Sequence, residues 1–278
     1  MRFSSVFGRK RAAVEQLAAE HGVQAFDDLG EFFGSIDIVG LAVPPSAQPE
    51  LVRAAVASGK HVLMEKPVST NPSEARELAV ALADNGLSSA VFFTQLLMPS
   101  TAAQIDTIVR AGGWHFARTE SFSQVLNNAG HPFHGTAWRH EVGALWDTGP
   151  HAVALMLAVL GAIGSVTATR GAHDLSALTL HHHSGAISSV ALTMDSGAPF
   201  AGETVFFGTA GRHILAPADD WNREAADAYR VVLELLVARV TGNSASIPYD
   251  AAFGAEVTEV LAAAARSMSS GGTVHLDA

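Results

Sequence analysis

The first third of the chain alternates short apolar runs with helical patterns, and that alternation constrains the fold more than any other feature. Residues 3–7 read as a strand. Residues 10–21 read as a helix in which Ala13, Leu17 and Ala18 share one face and Gly22 stops the last turn. A short strand over 23–26 and a short helix over 28–33 follow. Residues 36–43, Ile-Asp-Ile-Val-Gly-Leu-Ala-Val, are almost continuously apolar, the pattern of a strand buried on both faces, and Pro44-Pro45 ends it. Then come a helix over 46–58 closed by Gly59, a strand over 61–64, a helix opened by Asn71 and Pro72 that runs to residue 84, and a strand over 88–94. Repeated βα units of this length imply parallel strands in a doubly wound sheet.

The rest of the chain follows a different pattern. Residues 101–111 read as a helix, 114–122 as a strand, and 124–136 as a loop rich in Asn, Gly, His and Pro. A helix after Asp147 and Gly149 carries Pro150 in its first turn and stops at Gly161. Apolar, β-rich runs cover 165–172, 175–183, 186–194 and 204–207, with Ser184-Gly185 as a hairpin turn. Helices over 223–241 and 250–269 precede a last short strand over 273–276. The expected fold is therefore α/β plus α+β: an incomplete doubly wound, Rossmann-like parallel sheet, then a domain with a large open, mostly antiparallel sheet. The boundary falls near residues 95–99. This divides the chain into a dinucleotide-binding domain over 1–96 and a substrate-binding and oligomerisation domain over 97–278.

A doubly wound dinucleotide-binding domain normally opens with a strand, a Gly-x-Gly-x-x-Gly turn and a helix. None of the 25 glycines here has another two positions away, so that turn is absent from the sequence. The chain reads as starting at the second strand. In the usual strand order the first strand is central, so the strands at 3–7 and 36–43 would lose their shared neighbour. Dry, unpaired backbone groups cost roughly 1–3 kcal/mol each, against a total stability of about 5–15 kcal/mol. Three explanations offer themselves: a misassigned start, a fragment, or a gap closed by a partner chain. A misassigned or truncated start is the expected one.

Two motifs carry chemistry. Gly59-Lys60-His61-Val62-Leu63-Met64-Glu65-Lys66-Pro67 delivers Lys66 at the C-terminal end of a strand, where ligands bind in open α/β sheets. The second is Trp138-Arg139, Gly143, Asp147, Gly149 and His151, with Asp147 and His151 four residues apart at a helix start and able to face one way. Together and in this order they resemble the glucose-fructose oxidoreductase / inositol dehydrogenase (Gfo/Idh/MocA) family. Residues 3–11, 36–44 and 271–276 resemble further parts of that family's pattern, so the likeness covers essentially the whole chain. Roughly the first 30 residues that such a domain needs are missing.

The resemblance implies an NAD(P)-dependent enzyme that moves hydride between nicotinamide and a carbinol carbon of a sugar, cyclitol or related hydroxy compound. It assigns catalysis to Lys66, Asp147 and His151, with Trp138 and Arg139 shaping the substrate side. His151 would accept the hydroxyl proton, Asp147 would orient the imidazole, and Lys66 would stabilise the developing alkoxide. Cofactor contacts fall on Gly8, Arg9, Lys10, Val43, Pro44, Gln48, Glu65, Lys66 and Pro67. In such folds an acidic residue after the second strand holds the adenosine ribose, whereas Arg accommodates a 2′-phosphate. Arg9, with no Asp or Glu beside it, favours NADP over NAD. The family also implies a homodimer or homotetramer formed through the antiparallel sheet. The sequence departs from the family pattern at Gln48, at Leu96 or Leu97 where an Arg is common, and at Ala144 where glycines are common. These positions bear on substrate identity more than on fold. Rival readings are a non-catalytic nucleotide- or sugar-binding member and an inactive fragment.

Composition narrows the remaining classes. A formal net charge of −10 with scattered Lys and Arg argues against nucleic-acid binding. The absence of cysteine excludes disulfides and thiolate metal sites. The first residues carry charge rather than a signal-like apolar stretch, and residues 152–164 are too short to span a bilayer, so a cytoplasmic protein without membrane contact is expected. Of His181-His182-His183, only the outer two would share a strand face, and no carboxylate stands near them in the sequence, so no metal site is expected. His131 and His134 lie in the loop before Trp138, within reach of a substrate pocket.

Overall fold

Five short parallel strands and four helices build the first part of the chain in the computed structural model, which describes residues 2–276 apart from 198, 210 and 243–245. In order they are β1 (Ser5–Phe7), α1 (Arg11–His21), β2 (Gln24–Phe26), α2 (Leu29–Gly34), β3 (Ile38–Gly40), α3 (Gln48–Ala57), β4 (His61–Met64), α4 (Pro72–Asp84) and β5 (Ser89–Val91). The ends of these helices follow local chemistry. Gly22 closes α1 in the left-handed region, at φ 63°, where a side chain would be strained. Asp28 caps α2 by accepting from the Glu31 amide, and Asn71 caps α4 by accepting from the Ser73 and Glu74 amides.

The parallel strands form two separate ladders. β1 pairs with β2, and β3, β4 and β5 form a second sheet in that order. Among the described residues no backbone hydrogen bond joins the two. The run over 36–43 corrects the expectation of a strand buried on both faces. Only Ile38–Gly40 is strand, with Val39 buried, Ile38 half-buried and Gly40 exposed. β3 is an edge strand, paired along one side only, and among the described residues no strand lies along its other side.

The second part comprises α5 (Thr94–Leu97), α6 (Pro99–Ala111), β6 (Trp114–Phe122), α7 (Ala137–Asp147), α8 (Gly149–Leu160), β7 (Ile163–Arg170), β8 (Ser176–His182), β9 (Ile187–Thr193), β10 (Thr204–Gly208), β11 (Gly211–Leu215), α9 (Trp221–Val240), α10 (Ala251–Ser270) and β12 (Val274–His275). Its seven strands form one sheet in the order β11-β10-β6-β9-β8-β7-β12. Only β6–β9 is parallel. Gly185, at φ 84°, makes the tight turn between β8 and β9. The sequence reading had no counterpart for α5, α7 or β11.

α8 is apolar all round, and Val153, Ala154, Leu155 and Met156 are all fully or nearly fully buried, as expected for a helix enclosed by protein. The stretch Ala137–Leu160 is long and apolar enough to cross a membrane by length and composition, but 67% of its apolar 18-residue window is buried inside the fold and Gly143 breaks its helical path. It is a core element. α10 lies against both α4 and β7. One apolar core therefore runs from Val62, Met64 and Leu78 of the parallel layer to Leu155, Val257 and Leu261 of the sheet domain.

Candidate active site

The site is built upward from Gln48, the fully buried residue at the start of α3. Its Nε2 donates to the carbonyls of Glu65 (2.7 Å), Pro67 (3.0 Å) and Val68 (3.2 Å), and its Oε1 accepts from the Glu65 amide at 2.8 Å. The side chain thus ties down the loop that leaves β4, a loop that includes the cis Lys66–Pro67 bond. The amide expected to meet the cofactor is instead occupied in holding Lys66 in place.

Lys66 Nζ donates to the Asp147 carbonyl at 2.6 Å and to Asp147 Oδ1 at 2.8 Å. The other carboxylate oxygen, Oδ2, accepts from Arg139 Nε at 2.8 Å. The three side chains are only 13%, 10% and 18% exposed, in the order Lys66, Asp147, Arg139, so solvent screens these pairs little. The Arg139 guanidinium also lies 4.5 Å from the ring centres of both Phe133 and Trp138. Phe133 was not marked by any sequence motif. Its role as one of the two rings around Arg139 depends on the loop fold rather than on spacing.

Each charge state has a physical cause. Burial pushes the Asp147 carboxyl up, but the Lys66 and Arg139 cations and their hydrogen bonds outweigh it and hold the group below the usual aspartate range. Glu65 goes the other way, since burial outweighs the favourable pull of Lys66 and raises it. Burial lowers His151 to about 3, with the Lys66 cation adding to the effect and Asp147 opposing it. The imidazole is therefore neutral at physiological pH. Its Nδ1 is buried without a hydrogen-bond partner, an orphaned polar atom of the kind a bound ligand would satisfy.

The other positions fall on the ends of parallel strands. Gly8, Arg9 and Lys10 connect β1 to α1, with Arg9 and Lys10 exposed. Arg11 is occupied by Glu15 and Asp27, each at 2.8 Å. Val43 and Pro44 follow β3, half-buried. His134 and His131 are used within their own loop: His134 Nδ1 lies 3.2 Å from the Val125 carbonyl, and His131 Nδ1 accepts from the Phe133 amide at 3.2 Å. His182 turns inward and bonds the Gly161 carbonyl and the Ser188 hydroxyl.

Residues 2–93 match the family described as "Oxidoreductase family, NAD-binding Rossmann fold". An uncharacterized protein of Saccharomyces cerevisiae is 28% identical over 152 residues, covering 52% of this chain and 43% of that protein. The scyllo-inositol 2-dehydrogenase (NADP(+)) IolU of Bacillus subtilis is 34% identical over 87 residues, covering 30% of this chain and 26% of the enzyme. The matched stretches thus span less than half of these curated relatives. The fold is shared with GenD2 from gentamicin A biosynthesis, solved with NAD (TM-score 0.85, 22% identity, 100% of this chain and 89% of that one). It is also shared with a putative myo-inositol dehydrogenase from Sinorhizobium meliloti (TM-score 0.85, 18% identity, 99% and 92%). Over residues 2–93 the chain is similar to the Gfo/Idh/MocA oxidoreductase family, and the Glu65-Lys66-Pro67 loop inside that match is the one joined to Asp147.

Proposed function

We propose that this chain is a cytoplasmic NAD(P)-dependent dehydrogenase or reductase acting on CH–OH groups, with a sugar, cyclitol or related hydroxy compound as substrate. Residues 1–96 serve the cofactor and 97–278 the substrate. One observation carries the reading: the buried Lys66–Asp147 ion pair stands in the electrostatic neighbourhood of the neutral, orphaned imidazole of His151. Alcohol oxidation needs a cation for the developing alkoxide and an acceptor for the hydroxyl proton, and this cluster offers both.

The sequence has no Gly-x-Gly-x-x-Gly turn for the pyrophosphate, so in this reading the dinucleotide contacts fall at its two ends. Gly8, Arg9 and Lys10 would hold the adenosine end. Val43, Pro44, Glu65, Lys66 and Pro67 would hold the nicotinamide end, with Gln48 fixing the loop beneath. When bound, the nicotinamide supplies the site for hydride. Everything else is the work of this chain. Lys66 has three N–H donors, and the two bonds to Asp147 leave one for the reacting oxygen. His151 takes the hydroxyl proton and, being a weak base in this setting, passes it to solvent. Asp147 fixes the ammonium and favours the transient imidazolium. Arg139, set between Trp138 and Phe133 and bonded to Asp147, shapes the substrate side.

NADP is the preferred cofactor in this reading. Arg9 is exposed at the end of β1 with no acidic neighbour in the turn, and the relative IolU is named for NADP(+). The face of the seven-stranded sheet away from α8 and α10 is the proposed surface for a homodimer or homotetramer. The deciding experiment is steady-state oxidation of a polyol and sugar panel with NADP+ and NAD+, followed at 340 nm, for the wild type and Lys66→Met. Loss of one donor to the developing alkoxide should lower turnover by about 10²–10³-fold. Undiminished turnover in Lys66→Met would refute the assignment.

A further inference from the structure

α7 does not run as one helix. Two helical pieces join across Gly143, whose φ of 68° and ψ of −171° break the spiral one turn before Asp147. Such a break leaves the first amides of the second piece without carbonyls one turn back. The first of them, the Ala144 amide, donates to Asp174 Oδ2 at 2.8 Å. Asp174 lies 30 residues further on, in the turn between β7 and β8, and the same oxygen accepts from the Met194 amide at 3.3 Å.

The turn that presents Asp174 is itself fixed. His173 and Asp174 both hold positive φ, 54° and 58°, a region that costs a non-glycine residue roughly 1–2 kcal/mol. Neighbouring side chains hold them there. Thr193 Oγ1 donates to the His173 carbonyl at 2.5 Å, the Asp195 amide donates to Thr193 Oγ1 at 2.9 Å, and His173 Nδ1 lies 3.1 Å from Asp195 Oδ2. Gly143 completes the fit, because a Cβ there would run into Asp174 Oδ1.

We infer that Asp174 is a positioning residue for the reaction centre: by holding Ala144 it sets the turn that aims the Asp147 carboxylate at Lys66 and Arg139. The path is short. The Ala144 carbonyl accepts from both the amide and the hydroxyl of Thr148, each at 3.0 Å, so residues 144–148 move as one turn with Asp147 inside it. The inference rests on reading Lys66, Asp147 and His151 as the catalytic group, and it adds a residue of the sheet domain that acts through Ala144.

The test follows the Asp147 carboxyl by carbon-13 NMR as pH is lowered, on the full chain with neither cofactor nor substrate. In the wild type this group should titrate below the usual aspartate range. Asp174→Ala should return it toward that range, and in turnover assays should lower kcat by about 10²-fold, the order expected of a small misplacement, with little change in KM. Asp174→Asn keeps a carbonyl oxygen for the Ala144 amide and should restore most of both. Ser267→Ala is the control. It removes the acceptor of the Ala168 amide (2.8 Å), away from the centre, and should lower the melting temperature without moving the Asp147 titration. If Asp174→Ala does not fold, Gly143→Ala disrupts the same contact from the other side and should shift the titration likewise. An unmoved Asp147 titration in either folded variant overturns the inference, as does an equal shift in Ser267→Ala at matched loss of stability. The NMR measurement needs no turnover, so a catalytically silent chain would refute the dehydrogenase reading and still leave the role of Asp174 decided.

Discussion

Asp147→Asn is the most informative single perturbation of this site. The carboxylate accepts one charged hydrogen bond from Lys66 and one from Arg139, both at 2.8 Å, in a place where it is only 10% exposed. An asparagine oxygen can keep one of these bonds. The amide nitrogen then faces the other cation, and two positive groups are left nearly buried without their hydrogen-bonded carboxylate, with only the Glu65 carboxyl nearby. Removing one member of a buried ion pair costs about 3–5 kcal/mol. The Asp147 carbonyl still accepts from Lys66 at 2.6 Å, which favours the lower end, about 3 kcal/mol. For a chain of this size that corresponds to a fall in Tm of roughly 6–12 °C. The loss should also depend on pH with a definite sign. The Asp147 pKa is lower folded than unfolded, so its contribution is complete above the unfolded aspartate value near 3.8 and fades as pH falls through the lower folded value. Urea denaturation of both proteins at several pH values measures this directly. The gap should be constant from neutral pH to about 5 and narrow in the acid limb. A gap below about 1 kcal/mol at pH 7 would refute the reasoning, because it would mean that the pair contributes no more than a surface ion pair.

Three further outcomes follow from the same geometry. Gln48→Ala strips hydrogen bonds from four backbone groups of the Glu65–Val68 loop, two buried and two part-buried, and should cost about 2–4 kcal/mol in urea titration, with weaker cofactor binding. His151 should stay neutral in imidazole NMR titrations down to about pH 4, since its pKa is lowered to about 3 by burial. Because the unfolded chain takes up a proton there near pH 6.5, this residue alone makes stability decline as pH drops from about 6.5 toward 3. Arg9→Ala should raise the KM for NADP+ by about tenfold, the loss of roughly one charged contact, while leaving that for NAD+ nearly unchanged; equal effects on both would remove the 2′-phosphate role.

The parallel-strand part of the chain was legible because its signals are local. Gly22, Asp28, Asn71 and Pro72 mark helix ends through their own backbone or side-chain chemistry, and the structure has a helix terminus at each. The strand at His61–Met64 and the long strand Trp114–Phe122 are also bounded where apolar periodicity and glycine place them. α7 was missed because Gly143 interrupts its pattern midway and Asp174, thirty residues later in sequence, supplies the contact that lets the helix resume. β11 was missed because Gly211-Arg212-His213-Ile214-Leu215 has little alternation of its own and becomes strand by pairing with β10. In the site, the meeting of Lys66 with Asp147 followed from two motifs read together. The engagement of Gln48 with the Glu65–Val68 loop and the stacking of Phe133 on Arg139 depend on tertiary approach, which spacing alone does not encode.

The division of the parallel layer into two unlinked ladders has a thermodynamic corollary. Residues 2–35 join the remainder through side-chain packing around Phe32 and Phe33 rather than through a continuous network of amides. Such a region is a natural cooperative subunit, able to open at a lower free energy than the α4–α10 core. Arg9 rides on it, whereas Lys66, Asp147 and His151 do not. On the proposed assignment of Arg9 to the adenosine end and Lys66 to the reacting end, the two are therefore free to fail separately, the first by partial opening and the second on loss of the α4–α10 core.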